Sequence, residues 1–137
     1  MKKVILSMLL LFAFMYGTAQ EKDRKIIIDV TSTNSKVYQS ILLTLRIMTE
    51  SHPDTEFDVI AYGEAVPMMM KNQSVVGEQI LQYVRNEKVH FTACEVSMAL
   101  FDIKKEQLLE GVRTVENAVD EIVIKQTNGW GYIKSGN

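Results

Sequence analysis

Apolar and polar positions in this chain switch between two periods, and the switches predict its elements. Lys25-Ile26-Ile27-Ile28-Asp29-Val30 is a near-continuous β-branched run, the pattern of a strand covered on both faces. Thr31-Ser32-Thr33-Asn34-Ser35 follows, rich in residues that cap helices and form turns. Val37, Ile41, Leu45 and Met48, with Leu42 beside them, then recur at helical spacing. They predict an amphipathic helix from about Lys36 to Glu50, ended by Ser51-His52-Pro53-Asp54 because proline cannot continue the hydrogen-bond ladder. Phe57 to Tyr62 reads as a second strand closed by Gly63, and Glu64 to Met70 as a short proline-containing helix. Val75 to Arg85 carries Val76, Ile80, Leu81 and Val84 on one side of a longer helix.

Val89-His90-Phe91-Thr92-Ala93-Cys94 is the third strand, and Glu95 begins a helix directly after it. Lys104 to Glu110 is expected to form a short helix stopped by Gly111, and Val112 to Val115 a short strand. Asn117 then caps a helix whose Val119, Ile122, Val123 and Gln126 share a face, and Trp130 to Ile133 closes the chain as an edge strand. Strands alternating with helices imply βαβ crossovers and a mostly parallel central sheet in one α/β domain. Ligands of such sheets bind beyond the carboxyl ends of the strands. Thr31 to Ser35, Tyr62 to Glu64 and Cys94 to Ser97 converge there.

The N-terminus stands apart from this pattern. Lys2 and Lys3 precede an apolar stretch from Val4 to Tyr16, too short to span a bilayer comfortably. Gly17-Thr18-Ala19 supplies the small residues of a cleavage site. Residues 1–19 are therefore read as a signal peptide and 20–137 as the exported domain, periplasmic in a Gram-negative host. Removing the two lysines takes the formal charge from −2 to −4. That balance argues against nucleic acid or an anionic membrane as the main partner.

Export changes the meaning of the single cysteine. Cys94 cannot form a disulfide within the chain, so it is buried, capped, paired with another chain or kept chemically active. Its place before a helix N-terminus favours the thiolate, while the neighbouring Glu95 carboxylate opposes it. Residue chemistry leaves two readings open, a reactive thiol and a small apolar filler. His90 shares the parity of Cys94, but four strand residues separate them by about 13 Å, too far for a thiol-activating base. His52 sits in a loop and is read as solvated. Neither histidine has metal-ligand spacing with Cys94, so no metal site is expected. Met68-Met69-Met70 fits a packed or subunit-facing surface better than a soft-metal site, because adjacent helical positions point in different directions. Trp130-Gly131-Tyr132 lines a pocket or an oligomer contact, or else covers the sheet edge. The chain has no glycine-rich phosphate fingerprint, no GKS/GKT loop, no HExxH and no local support for Ser/His/Asp catalysis, which argues against a nucleotide enzyme or hydrolase; no cofactor is expected.

Phe91-Thr92-Ala93-Cys94-Glu95-Val96-Ser97-Met98 resembles the cysteine segment of the DsrE/DsrF-like (YchN-like) sulfur-relay family. The likeness extends to Lys25 to Thr31, to Leu108-Leu109-Glu110-Gly111-Val112, and to Gln126-Thr127-Asn128-Gly129-Trp130-Gly131-Tyr132-Ile133-Lys134. The resemblance implies a flavodoxin-like three-layer α/β sandwich that assembles into trimers or hexamers. It also implies that Cys94 is the sulfur acceptor, carrying a persulfide between donor and acceptor proteins. Thr31, Ser32, Gly63, Glu95 and Ser97 are its expected pocket neighbours. The chain departs from the family pattern in its export. The competing reading is a non-enzymatic ligand-binding or oligomeric module of the same fold in which Cys94 only packs; an independent turnover is the least favoured reading.

Overall fold

The computed structural model describes residues 23–135. The leader predicted at residues 1–19 lies outside the described residues. Five strands form one parallel sheet: β1 (Lys25–Val30), β2 (Glu56–Ala61), β3 (Val89–Cys94), β4 (Arg113–Val115) and β5 (Gly131–Lys134), in the order β4-β3-β2-β1-β5. The helices are α1 (Ser35–Ser51), α2 (Gly77–Tyr83), α3 (Glu95–Leu100) and α4 (Ala118–Thr127). Two 3-10 segments, Gly63–Met69 and Lys105–Gln107, complete the connections. The helices predicted over 75–85 and 104–110 are therefore shorter, the second reduced to one 3-10 turn.

The strand order explains how the helices are distributed. β1 to β4 step in one direction across the sheet, and right-handed crossovers put their connections on one face. The chain then returns to the far side of β1, so α4, which makes that return, lies on the opposite face. The first face holds a large core, from Ile28 and Val30 through Phe57, Val59 and Phe91 to Leu45 and Ile80. All three methionines of the run at 68–70 are buried in it. The second face has a small core of Ile27, Ile60, Cys94, Ala118 and Ile122, with Tyr62 and Trp130 packed against it.

Local signals account for the ends of the elements. Asn34 caps α1 by accepting the Lys36 amide at 2.9 Å, and Asn117 caps α4 by accepting the amides of Val119 and Asp120. The face predicted for α4 is corrected by the fold. Ile122 is buried, but Val119 and Val123 are each 55% exposed, and the inward stripe is instead Ala118 and Ile122, with Lys125 half-buried. A small core leaves room for a narrow stripe only, so the remaining valines face outward.

Candidate functional site

Cys94 ends β3 and forms the junction to α3 with an extended backbone, φ −82° and ψ 120°. It is 4% exposed. Its side chain shares the α4 side of the sheet with His90 and Thr92, because alternate strand residues share a face. The amide of Ala118, first residue of α4, donates to Sγ at 3.4 Å, and Sγ lies 3.8 Å from the Glu116 carbonyl, to which the thiol donates. Two helix beginnings therefore meet at one sulfur. Burial pushes the thiol up, but hydrogen bonds from the Ala118 amide, the Ser97 hydroxyl and the amides of Ser97 and Val96 together outweigh it, so its pKa lies below the ordinary value.

The residues expected around the thiol divide into three groups. Ser97 and Gly63 join it: Ser97 is buried, and its Oγ accepts the Gly63 amide at 2.8 Å. Gly63 adopts φ +60°, a conformation that L side chains rarely hold, which lets the chain turn after β2 and aim this amide. Glu95 turns away. Its carboxylate accepts from Thr114 Oγ1 and pairs with Lys105 Nζ, both at 2.6 Å, and these two partners hold it below the usual carboxylate range. The expected opposition of Glu95 to the thiolate is thus absorbed by other partners. Thr31 and Ser32 sit at the end of β1 instead: Thr31 Oγ1 accepts from Lys134, and Ser32 Oγ accepts from the Asn34 amide.

Beside the thiol lies a cluster that the sequence reading missed. Asp29 is 3% exposed, and its carboxylate accepts from the hydroxyls of Tyr132 and Tyr62 and from Lys134 Nζ at 3.0 Å. Tyr62 follows β2 and packs on the same small core as Cys94. Both tyrosines hold their protons above the ordinary range. Burial leads for Tyr62, with Asp29 next and the nearby Cys94 contributing; the hydrogen bond to Asp29 leads for Tyr132. An aspartate inside an apolar strand was the available signal, since a buried carboxylate must find partners.

A second buried carboxylate, Asp58, accepts from Thr92 Oγ1 at 2.7 Å and pairs with Lys125 Nζ at 3.1 Å. Lys125 also lies 4.0 Å from the centroid of Trp130, so this tryptophan covers the small core. His90 is at the opposite end of β3 from Cys94, 3.3 Å from Glu56, in agreement with its exclusion as a base. No group of three His, Cys, Asp or Glu side chains among the described residues could hold a metal ion, and no helix among them is long and apolar enough to cross a membrane.

The model of the DsrE/DsrF/DrsH-like family matches residues 12–126. MTH1491 of Methanobacterium thermoautotrophicum, a protein of unknown function, superposes with a TM-score of 0.77 at 23% identity, covering 82% of this chain and 99% of its own. BT1422 of Bacteroides thetaiotaomicron, also of unknown function, gives 0.65 at 16% identity over 85% of this chain and 99% of its own. The ychN protein of E. coli gives 0.64 at 15% identity over 81% of this chain and 98% of its own. At these identities the likeness concerns the fold. No curated protein matches the sequence.

Proposed function

The chain belongs to the DsrE/DsrF/DrsH-like family, and from that premise we propose that it carries sulfur on Cys94. The observation supporting this reading is the convergence of amide and hydroxyl donors on a buried sulfur that no disulfide within the chain can use. In the proposed cycle the Cys94 thiolate attacks the outer sulfur of a donor persulfide, R–S–S–H. A new S–S bond forms as the donor's S–S bond breaks, the electron pair leaves with the donor as its thiolate, and the proton stays on the transferred sulfur. An acceptor thiolate then attacks that outer sulfur and Cys94 departs as thiolate. The donors that lower its pKa improve it as a leaving group in this second step. The two transfers cancel in electrons, so the reactants are a donor and an acceptor and the role is that of a carrier.

In this reading Ser97 and Gly63 are positioning residues for the sulfur. Export through the leader, and assembly into a trimer or hexamer through exposed apolar side chains such as Val96, Leu100, Val119 and Val123, complete the proposal. A second reading is favoured by one observation, the 4% exposure of Cys94: the thiol packs, and the fold serves as a ligand-binding or oligomeric module.

Intact mass spectrometry separates the two. Incubation with a persulfide donor should add one sulfur atom that a reductant removes and that Cys94→Ser does not acquire. A native thiol that stays unmodified until the chain is denatured would refute the carrier role.

A further inference from the structure

Tyr62 is the neighbour of Cys94 across the sheet, and nothing in the carrier cycle uses its hydroxyl. Its backbone is still extended, φ −146° and ψ 172°, and its amide donates to the Val30 carbonyl at 3.2 Å, so the ladder of β2 runs one residue past Ala61. Ala61 is in register with Ala93, which sets Tyr62 beside Cys94, one strand spacing of about 4.8 Å away. Both residues pack on the small core under α4. The Glu116 carbonyl and the Ala118 amide meet Sγ from the chain that leaves β4, on one side of β3, and Tyr62 stands on the other. The Tyr62 hydroxyl rests on Asp29 at 3.3 Å, the longest of the three side-chain bonds to that carboxylate. Tyr132 shares the same oxygen, Oδ2, and Lys134 holds Oδ1. Asp29 therefore keeps a hydroxyl and an ammonium when Tyr62 leaves, and a buried carboxylate with a donor in surplus lends it without being stranded.

We infer that Tyr62 is the hydrogen-bond donor to the transferred sulfur: once Cys94 is loaded, rotation about the Tyr62 Cα–Cβ bond carries the hydroxyl from Asp29 to the outer sulfur atom. The inference rests on the sulfur-carrier reading. The Ala118 amide, the Ser97 hydroxyl and the amides of Val96 and Ser97 are directed at Sγ, the inner atom of a persulfide. The outer atom arrives with a proton and becomes an anion when that proton passes to water. Next to a thiol that is 4% exposed, such an anion needs a donor of its own. The phenol suits this task. Burial, Asp29 and the nearby Cys94 hold its proton above the ordinary range, so it remains a donor at neutral pH. No covalent bond changes in the handover; a hydrogen bond to a carboxylate is exchanged for one to a persulfide.

The test compares the parent with Tyr62→Phe and Tyr132→Phe at fixed ratios of glutathione persulfide to glutathione, with loading read by intact mass. Phenylalanine at 62 keeps the ring on the small core, and Asp29 keeps two donors, so folding is preserved. Tyr62→Phe should need about tenfold more persulfide for half loading, the worth of one hydrogen bond to a charged group. Its loaded form should ionise at higher pH, followed by the pH dependence of persulfide alkylation, while the midpoint of the unloaded thiol stays in place. A general loosening of the site would move both midpoints. Tyr132→Phe, which removes the hydroxyl that stays on Asp29, should load as the parent does. Parent-like loading of Tyr62→Phe would overturn the inference and leave the carrier reading standing. An equal loss in Tyr132→Phe, or both midpoints moving together, would do the same. A parent that takes up no sulfur overturns both.

Discussion

The amide of Ala118 points at the Cys94 sulfur from 3.4 Å, although the two residues are 24 positions apart and reach each other from different helix beginnings. The Ser97 hydroxyl donates to the same sulfur and can be removed by a small change. Ser97→Ala should therefore raise the thiol pKa, because one of the donors that favour the thiolate is lost. The pH dependence of thiol alkylation checks this, and an unmoved midpoint would show that the hydroxyl does not stabilise the thiolate.

Two glycines with left-handed backbones should respond differently to a methyl group. Gly63, φ +60°, has nothing within 4 Å of the added Cβ, so Gly63→Ala should cost only the conformational penalty, about 1 kcal/mol. Gly111, φ +84°, would set its Cβ 2.9 Å from that of Val84, a β-branched side chain with little freedom to yield. Gly111→Ala should cost about 3 kcal/mol, conformation and overpacking together. Urea denaturation of the two variants gives the comparison, and equal losses would contradict it.

Lys125 neutralises the buried Asp58 carboxylate and lies against Trp130. Lys125→Met should destabilise the fold by about 3 kcal/mol, because it strands a buried charge. Adding Asp58→Asn removes that charge and keeps an acceptor for Thr92. The double variant should regain most of the loss, remaining about 1 kcal/mol below the parent through the missing cation–π contact. A thermal-denaturation cycle over the four proteins measures the coupling; additive losses would mean the pair is not a unit.

Tyr132 supplies the pH dependence. Its hydrogen bond to Asp29, then burial and the Asp29 charge, push its pKa up from 10.0 to about 12. The folded state thus holds this proton more tightly than the unfolded state does. The stabilisation is complete below about pH 10 and is lost as the pH rises through about 12. The parent should lose more stability across that interval than Tyr132→Phe, which lacks the group, while Tyr62 titrates in both. Parallel stability curves would refute the assignment.

β1 to β3 and α1 were legible because each buries a contiguous apolar pattern against the large core, where period reports burial directly. The thiol's strand-end position followed from the strand-to-helix switch at Cys94, and the rule that places loops at the carboxyl edge of a parallel sheet put Ser97 at the same edge. The buried face of α4 differs from the predicted one because periodicity finds an apolar stripe without saying what it touches, and Val119 and Val123 face outward here. The Asp29 cluster was missed for another reason. Its partners lie 33 to 105 residues away, so no local pattern announces them. The Glu95 carboxylate was assigned by adjacency along the chain, and side chains at Lys105 and Thr114 decided its direction instead.

α4 both hides the sulfur and charges it. Ala118 and Ile122 close the small core over Cys94, and the Ala118 amide is one of the donors that favour its ionised form. Any excursion that lifts this helix uncovers the thiol and withdraws that donor in the same movement. Concealment and thiolate stabilisation are thereby tied together: an uncovered sulfur has lost a donor that favours its ionised form. On the sulfur-carrier reading, a partner that reaches Cys94 with α4 in place would meet the sulfur with all its donors, and one short helix would govern both access and reactivity.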